Sequence, residues 1–211
     1  MLTNISIMYR TFGIEVSGSG RYAITQFISK IDPQPMKPEL VHRFYDFLNI
    51  TEFNKVKNII EMGKWSAGGT SGNPTSDVKF LYMDLQHEPL LRETLLSKIE
   101  MVTKKKFNLD RVYANGQWHG LDGAWHQDNQ QKNTWTFLLY MNEIEPCDLD
   151  KFYGCTEFKE DETINKAYKP IPNSALLFPS WLYHRGMSPS RFFANMRITV
   201  AWKLSEKNSC S

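Results

Sequence analysis

The sequence predicts a mainly β fold with flanking helices, an α+β domain. Residues 134–142, 175–181 and 195–203 are rich in β-branched and aromatic side chains, which are typical of buried strands. In the N-terminal half, apolar residues recur at helical spacing instead. The chain has 211 residues, 41% of them hydrophobic, which suits a single domain over 1–211 with one core.

The helices are predicted before residue 108. Residues 37–49 form the first, with Pro38 in its first turn. The second begins at a cap on Thr51 and ends at Gly63, and the third covers 89–103 with Val102 on its buried stripe. Residues 78–85 and 109–115 are predicted strands, 68–74 a loop, and 22–28 a strand or a short helix. We therefore expect 1–108 to give helical support and outer strands, and 109–204 to form the catalytic core.

Composition excludes several classes of protein. The net charge of +2 gives no electrostatic preference for nucleic acid or for a membrane surface, so neither is expected as a partner. The three cysteines, Cys147, Cys155 and Cys210, show no CxxC spacing and indicate free thiols in a reducing compartment. Because no leader segment or long apolar run is visible, a cytoplasmic location is expected. The oligomeric state stays open.

A histidine–x–aspartate pair, His126 and Asp128, precedes the first of the core strands. At a strand end, a spacing of two places both side chains on one face, where one metal ion can contact both. The third ligand has to come from another strand, and His184 is the candidate. Two imidazoles and one carboxylate form the facial ligand set of non-haem iron(II), with three positions left open. His119 is a rival to His126, but it has no carboxylate two residues later.

Arg197 and Thr199 share one face of the last core strand. A buried arginine needs a partner, and no acidic residue near it in sequence is an obvious one. Its planar guanidinium group suits a carboxylate. A bound anion is therefore predicted at this end of the strand.

These residues together resemble the iron(II)- and 2-oxoglutarate-dependent dioxygenases, and most nearly their prolyl 4-hydroxylase-like branch. Residues 140–142, Tyr-Met-Asn, are similar to that branch's Tyr-Leu-Asn strand end. Residues 153–158 are similar to its Gly-Gly-x-Thr-x-Phe segment, with Tyr153 in place of the first glycine. The similarity spans about residues 109–204. It implies a double-stranded β-helix core (jelly roll, cupin-like), with the N-terminal helices packed on its outer face.

The resemblance also implies the ligands and their residues. Iron(II) would be held by the three metal ligands, with 2-oxoglutarate as co-substrate, O2 as oxidant and ascorbate as a reductant. Arg197 would bind the far carboxylate of 2-oxoglutarate, and further hydroxyl contacts are assigned to Thr199, Tyr140, Thr156 and Tyr113. For Tyr113, a core tyrosine is an equal alternative. The substrate mouth is assigned to residues near the ligands: Trp125, Trp135, Trp181 and Asn129. Tryptophans that only pack the barrel are an equal alternative.

The implied reaction is hydroxylation of a C–H bond, with release of succinate and CO2. A peptidyl proline or an amino-acid-like small molecule is the expected substrate and partner. Two rivals stay open: a cupin-like metalloenzyme that acts without 2-oxoglutarate and would not need Arg197, and a non-catalytic binding module. The sequence also leaves open whether the loops 63–77 and 143–152 act as lids.

Overall fold

The structure is a computed structural model that describes residues 39–72, 77–159 and 165–207. The predicted segment 22–28 lies outside these ranges, as do Cys210 and residues 73–76 of the loop predicted at 68–74. The extent of a single domain over 1–211, and its division near residue 108, therefore stay predictions.

Strands dominate the described residues and form two antiparallel sheets. They are β1 (His42–Phe44), β2 (Ser66–Gly69), β3 (Phe80–Asp84), β4 (Phe107–Gln117), β5 (Thr134–Tyr140), β6 (Thr156–Lys159), β7 (Asn165–Tyr168), β8 (Ala175–Pro179), β9 (His184–Gly186) and β10 (Arg197–Glu206). The larger sheet has the order β1-β8-β5-β10-β4-β3-β2, and the smaller has the order β7-β6-β9. A single backbone bridge between His126 and His184 attaches the metal-pair segment to the smaller sheet. The predicted double-stranded β-helix core is confirmed.

The central strand β10 separates two cores. It pairs with β4 on one side and with β5 on the other, so Thr199 lies opposite both Asn115 and Tyr140. Successive side chains of a strand point to opposite faces. Val200, Trp202 and Leu204 pack into the core on the helix side of the large sheet. The intervening residues face the space between the two sheets, where the second core has these members: Val41, Leu138, Tyr140, Phe158, Leu176, Phe178, Leu182 and Ala201.

Helix α1 (Ile50–Met62) lies on the outer face of the large sheet and buries Phe53, Val56 and Ile60. The predicted cap at Thr51 is wrong. Asn49 caps the helix, because its side chain accepts a hydrogen bond from the Glu52 amide while the Glu52 carboxylate accepts one from the Asn49 amide, both at 2.9 Å. The predicted end at Gly63 is confirmed.

The third predicted helix is present as a π-helical turn, Leu90–Thr94, that continues into α2 (Leu95–Thr103). Leu91, Leu95 and Ile99 are fully buried against the sheet, whereas Val102, predicted on the same stripe, is exposed. A short 3-10 turn, Pro146–Asp148, and the one-turn helix α3 (Leu149–Phe152) complete the helical content of the described residues.

The first predicted helix, at 37–49, is wrong over its described part. Residues 42–44 form the edge strand β1, where His42 lies opposite Leu177 of β8 and Phe44 opposite Ala175. The apolar spacing there is compatible with a helix, but pairing with a buried strand overrides a weak local preference. Phe44 and Phe47 both pack against the ring of Phe137, at centroid distances of 5.8 and 4.8 Å.

The strands predicted in the second half are all present, with ends shifted by a few residues. The loop predicted from residue 68 instead begins as the end of β2, which pairs with β3. In the described part of the chain, no helix combines the length and apolar character needed to cross a membrane.

Candidate metal centre

The fold brings His126, Asp128 and His184 together from two segments that are distant in sequence. Their ligand atoms all lie within 4.8 Å of one another, and they form the one such group found in the described residues. The Nε2 atoms of His126 and His184 are each 3.4 Å from a carboxylate oxygen of Asp128. The backbone positions this group: His126 and His184 exchange two hydrogen bonds at 3.0 Å, and the Asp128 amide donates to the Ser180 carbonyl at 2.9 Å.

The histidine rings are oriented for metal binding by their other nitrogens. Nδ1 of His126 lies 2.9 Å from the Ala124 carbonyl oxygen, and Nδ1 of His184 lies 2.8 Å from that of Leu182. A carbonyl oxygen only accepts hydrogen bonds, so each Nδ1 carries the proton and each Nε2 keeps a lone pair. Burial lowers the pKa of His184, against the opposing effect of Asp128, so the neutral form needed by a ligand is favoured.

Asp128 is held as a carboxylate by its neighbours. Burial by itself would raise its pKa, but Lys203 and the two histidines bring it well below the usual range. The Thr136 hydroxyl donates to Asp128 Oδ2 at 2.6 Å, and the Lys203 ammonium group forms an ion pair with the same oxygen. The donor set is therefore two imidazole nitrogens and one carboxylate, which suits iron(II).

Arg197 lies in the same cavity, and its side chain is almost completely buried. The guanidinium group donates to three neutral acceptors: the Gly154 carbonyl at 2.7 Å, Gln117 Oε1 at 2.7 Å and Thr156 Oγ1 at 2.8 Å. Among the described residues, none of its hydrogen-bond partners is a carboxylate, and burial lowers its pKa. A buried cation with only neutral partners is suited to a bound anion.

Two further features fit a carboxylate beside Arg197. The Thr199 hydroxyl is buried and has no hydrogen-bond partner among the described residues, although it lines the cavity. Gly186 leaves room for the guanidinium group, since a Cβ there would lie 3.2 Å from Arg197 Nη1.

Tyr140 is fully buried and donates to Thr156 Oγ1 at 2.7 Å, which orients that hydroxyl group. The cavity has a volume of about 790 Å³ and contains both the metal ligands and the arginine.

The remaining predicted residues divide into two groups. Asn129 and Tyr113 line the cavity. Tyr113 is placed opposite Ala201, and its ring centroid is 4.7 Å from Arg111 Cζ and 5.7 Å from Lys203 Nζ. Along β10, the position opposite Tyr113 is closer to Lys203 than to Arg197, whereas Gln117 of the same strand lies opposite Arg197.

The three predicted tryptophans do not line the cavity. Trp135 points to the opposite face of β5, packs against the helix-side core and donates to Glu206 at 2.9 Å. The even-numbered residues of β5 face inward, so an odd position cannot reach the mouth. The ring centroid of Trp125 lies 4.8 Å from Lys159 Nζ and 4.7 Å from Arg185 Cζ. Trp181 is partly buried and packs against the inter-sheet core.

Three residues of the site were not predicted from the sequence: Gln117, Thr136 and Lys203. Lys203 had a detectable signal, because positions 197, 199, 201 and 203 alternate onto one face of the strand. Gln117 and Thr136 had none, since each depends on the register of another strand.

No protein-family model and no curated protein sequence matches the chain. A 2OG-Fe(II) oxygenase family oxidoreductase from Burkholderia pseudomallei is 9% identical, with a TM-score of 0.62 over 79% of this chain and 85% of that one. A Trichoplax adhaerens prolyl hydroxylase, solved with a hypoxia inducible factor peptide fragment, is 16% identical, with a TM-score of 0.61 over 80% and 84%. A viral collagen prolyl hydroxylase from Paramecium Bursaria Chlorella virus-1, solved with 2OG, is 16% identical, with a TM-score of 0.54 over 80% and 97%. The predicted resemblance is thereby confirmed at the level of architecture: this chain has the fold of the iron(II)- and 2-oxoglutarate-dependent oxygenases, prolyl hydroxylases among them.

Proposed function

We propose that the chain is an iron(II)- and 2-oxoglutarate-dependent dioxygenase that hydroxylates a C–H bond. The observation that carries this proposal is one cavity holding two complementary sites. At one end, His126, Asp128 and His184 offer three ligands. At the other, Arg197 and Thr199 offer a buried cation and an unused hydroxyl group. A cupin-like enzyme that acts without 2-oxoglutarate would have no need for the second site.

Each group has a defined task in this proposal. The two Nε2 atoms and the Asp128 carboxylate would hold iron(II), and the far carboxylate of 2-oxoglutarate would bind Arg197 and Thr199. Bound iron(II), 2-oxoglutarate and O2 supply the oxidising chemistry, in which the substrate C–H bond is hydroxylated while succinate and CO2 are released. Thr156 has a supporting role: it accepts from Tyr140 and Arg197, which fixes the guanidinium group. Ascorbate would serve as an external reductant.

The remaining contacts of the co-substrate and the substrate follow from the cavity lining. Gln117 orients Arg197, and Tyr113 and Asn129 line the cavity, where the ring of Tyr113 lies beside Lys203. We assign Tyr113 to the shared boundary between co-substrate and substrate. Among neighbours of this fold, a prolyl hydroxylase is solved with a peptide fragment. A peptidyl proline or an amino-acid-like molecule is therefore the proposed substrate class.

The test is succinate release from labelled 2-oxoglutarate in the presence of iron(II), with wild type, His126→Ala and a matched control. His87 is a suitable control because it is exposed and does not line the cavity. We expect turnover by wild type and by His87→Ala, and loss of turnover in His126→Ala, since one of three metal ligands is gone. Equal release from wild type and His126→Ala would contradict the proposal. Coupled turnover with a panel of prolyl peptides and free amino acids would then identify the substrate.

A further inference from the structure

Lys203 places a positive charge inside the cavity beside the metal ligands. It lies on the inner face of β10, six residues after Arg197 and on the same face. Its side chain is only 20% exposed, and its ammonium group pairs with Oδ2 of Asp128, whose side chain is 9% exposed. A buried lysine is unusual unless it is paired, so this contact accounts for its position.

The two carboxylate oxygens of Asp128 have different surroundings. Oδ2 accepts from the Thr136 hydroxyl at 2.6 Å and from Lys203. Each carboxylate oxygen has about two lone pairs in the plane of the group, so these two donors occupy those of Oδ2. Each oxygen also lies 3.4 Å from one ligand nitrogen, Oδ1 from Nε2 of His126 and Oδ2 from Nε2 of His184. Among the described residues, the oxygens therefore differ in their other donors: Oδ2 has two, and Oδ1 keeps its lone pairs for another partner.

The two donors also support each other. Lys203 Nζ is 3.3 Å from Thr136 Oγ1, so the hydroxyl accepts from the ammonium group while it donates to Asp128. The Ser180 hydroxyl lies 3.3 Å from the same Thr136 oxygen, on the segment whose carbonyl holds the Asp128 amide. Oδ2 of Asp128 is thereby held by two donors that are themselves linked to each other.

We infer that Lys203 is a positioning residue for the metal centre: with Thr136 it clamps Oδ2, so that Asp128 presents Oδ1 alone to the metal. This inference rests on the proposed function, because it needs the three-ligand site to bind iron(II). One oxygen ligand from Asp128, rather than two, leaves the positions that a co-substrate and O2 require.

The experiment is an anaerobic titration of the metal-free protein with iron(II), in which calorimetry measures the iron(II) affinity. Lys203→Met has nearly the same length without charge, and Lys203→Arg keeps a cationic donor. Lys106 provides the matched control, since it is an exposed lysine paired with Glu100 on the surface. We expect Lys203→Met to weaken iron(II) binding by about 10- to 100-fold, as is usual when a partner of a ligand is removed. Lys203→Arg should recover most of that loss, and Lys106→Met should bind as wild type does.

Iron(II) binding by folded Lys203→Met that equals or exceeds wild-type binding would overturn the inference. Circular dichroism shows whether each variant is folded. If Lys203→Met is unfolded, Lys203→Gln replaces it, with the same expected loss of iron(II) affinity and the same result overturning the inference. At saturating iron(II), the KM for 2-oxoglutarate should stay within about 2-fold of wild type, because Arg197 has its own partners and shares none of them with Lys203. A wild-type protein that binds no iron(II) would instead remove the proposed function itself.

Discussion

Replacing Arg197 by methionine removes the one charge that the proposed co-substrate site depends on. The guanidinium group is buried and donates to three neutral acceptors, which hold it in place. A carboxylate that binds there therefore meets a cation that is already oriented. Truncating one side of a buried, hydrogen-bonded charge pair costs about 2–5 kcal/mol. At about 1.4 kcal/mol per tenfold change, 2-oxoglutarate should bind about 30- to 4,000-fold more weakly.

The assay is titration of the protein with 2-oxoglutarate in the presence of manganese(II) as a redox-inert metal. Arg92→Met is the control, because Arg92 is exposed on the π-helical turn outside the cavity. In the ligand-free protein the substitution also removes a buried cation without a carboxylate partner. The free energy of unfolding should therefore fall by no more than about 3 kcal/mol, because the relieved desolvation of the cation offsets part of the cost of the two acceptors, Gly154 O and Gln117 Oε1, that lose their donor. A loss of affinity smaller than about threefold would refute the assignment of Arg197.

Three further substitutions test other parts of the structure. Gly186→Ala should raise the KM for 2-oxoglutarate by about tenfold, because the added Cβ would press on Arg197 Nη1 from 3.2 Å; an unchanged KM would mean that the guanidinium group is not confined there. Tyr153→Gly should raise the melting temperature, because Tyr153 has a backbone φ of 67° that costs about 1 kcal/mol or more in a non-glycine residue; a lower melting temperature would contradict this strain. Glu52 should make the free energy of unfolding depend on pH. Burial alone would raise its pKa, but the contacts with Lys98 and the Asn49 backbone lower the pKa below the usual 4.5. The stabilisation by this carboxylate is therefore present above pH 4.5 and is lost as the pH falls through the folded-state pKa. In Glu52→Gln, unfolding followed at several acidic pH values should show a weaker dependence, and an identical dependence would exclude this carboxylate as the source.

Two pairs of the candidate site could be predicted from sequence because their signal is local, whereas His184 was a candidate from a distant strand. A spacing of two on a strand fixes a shared face, so His126 with Asp128, and Arg197 with Thr199, needed no tertiary information. Trp135 shows the limit of that argument. It lies between two inward-facing residues of β5, Thr134 and Thr136, and a shift of one position moves a side chain to the opposite face.

The parts that could not be predicted depend on pairing between distant strands. Lys203 finds its partner in Asp128, far away in sequence, and nothing near Lys203 indicates that carboxylate. The same holds for Gln117, which reaches Arg197 only because β4 and β10 pair in one particular register. The mistaken helix at 37–49 has a similar cause, since the pairing of β1 with β8 overrides the local pattern. Boundaries such as the helix start at Ile50 depend on which side chain satisfies the free amides, here Asn49.

One strand connects the two ends of the proposed site. The inner face of β10 presents Arg197 and Thr199 at the anion end and Lys203 at the metal end, while its outer face is anchored by Trp202, whose indole nitrogen donates to the Leu91 carbonyl at 3.0 Å. The pairing with β4 shifts between Lys203 and Leu204, immediately after the last inward residue of the site. Such irregularities re-aim side chains beside active sites. Because the pleat couples the two faces, a slip of β10 would turn both the arginine and the lysine outward together. A side-chain substitution, in contrast, removes only one of them, so Arg197→Met and Lys203→Met should separate loss of 2-oxoglutarate binding from loss of iron(II) binding.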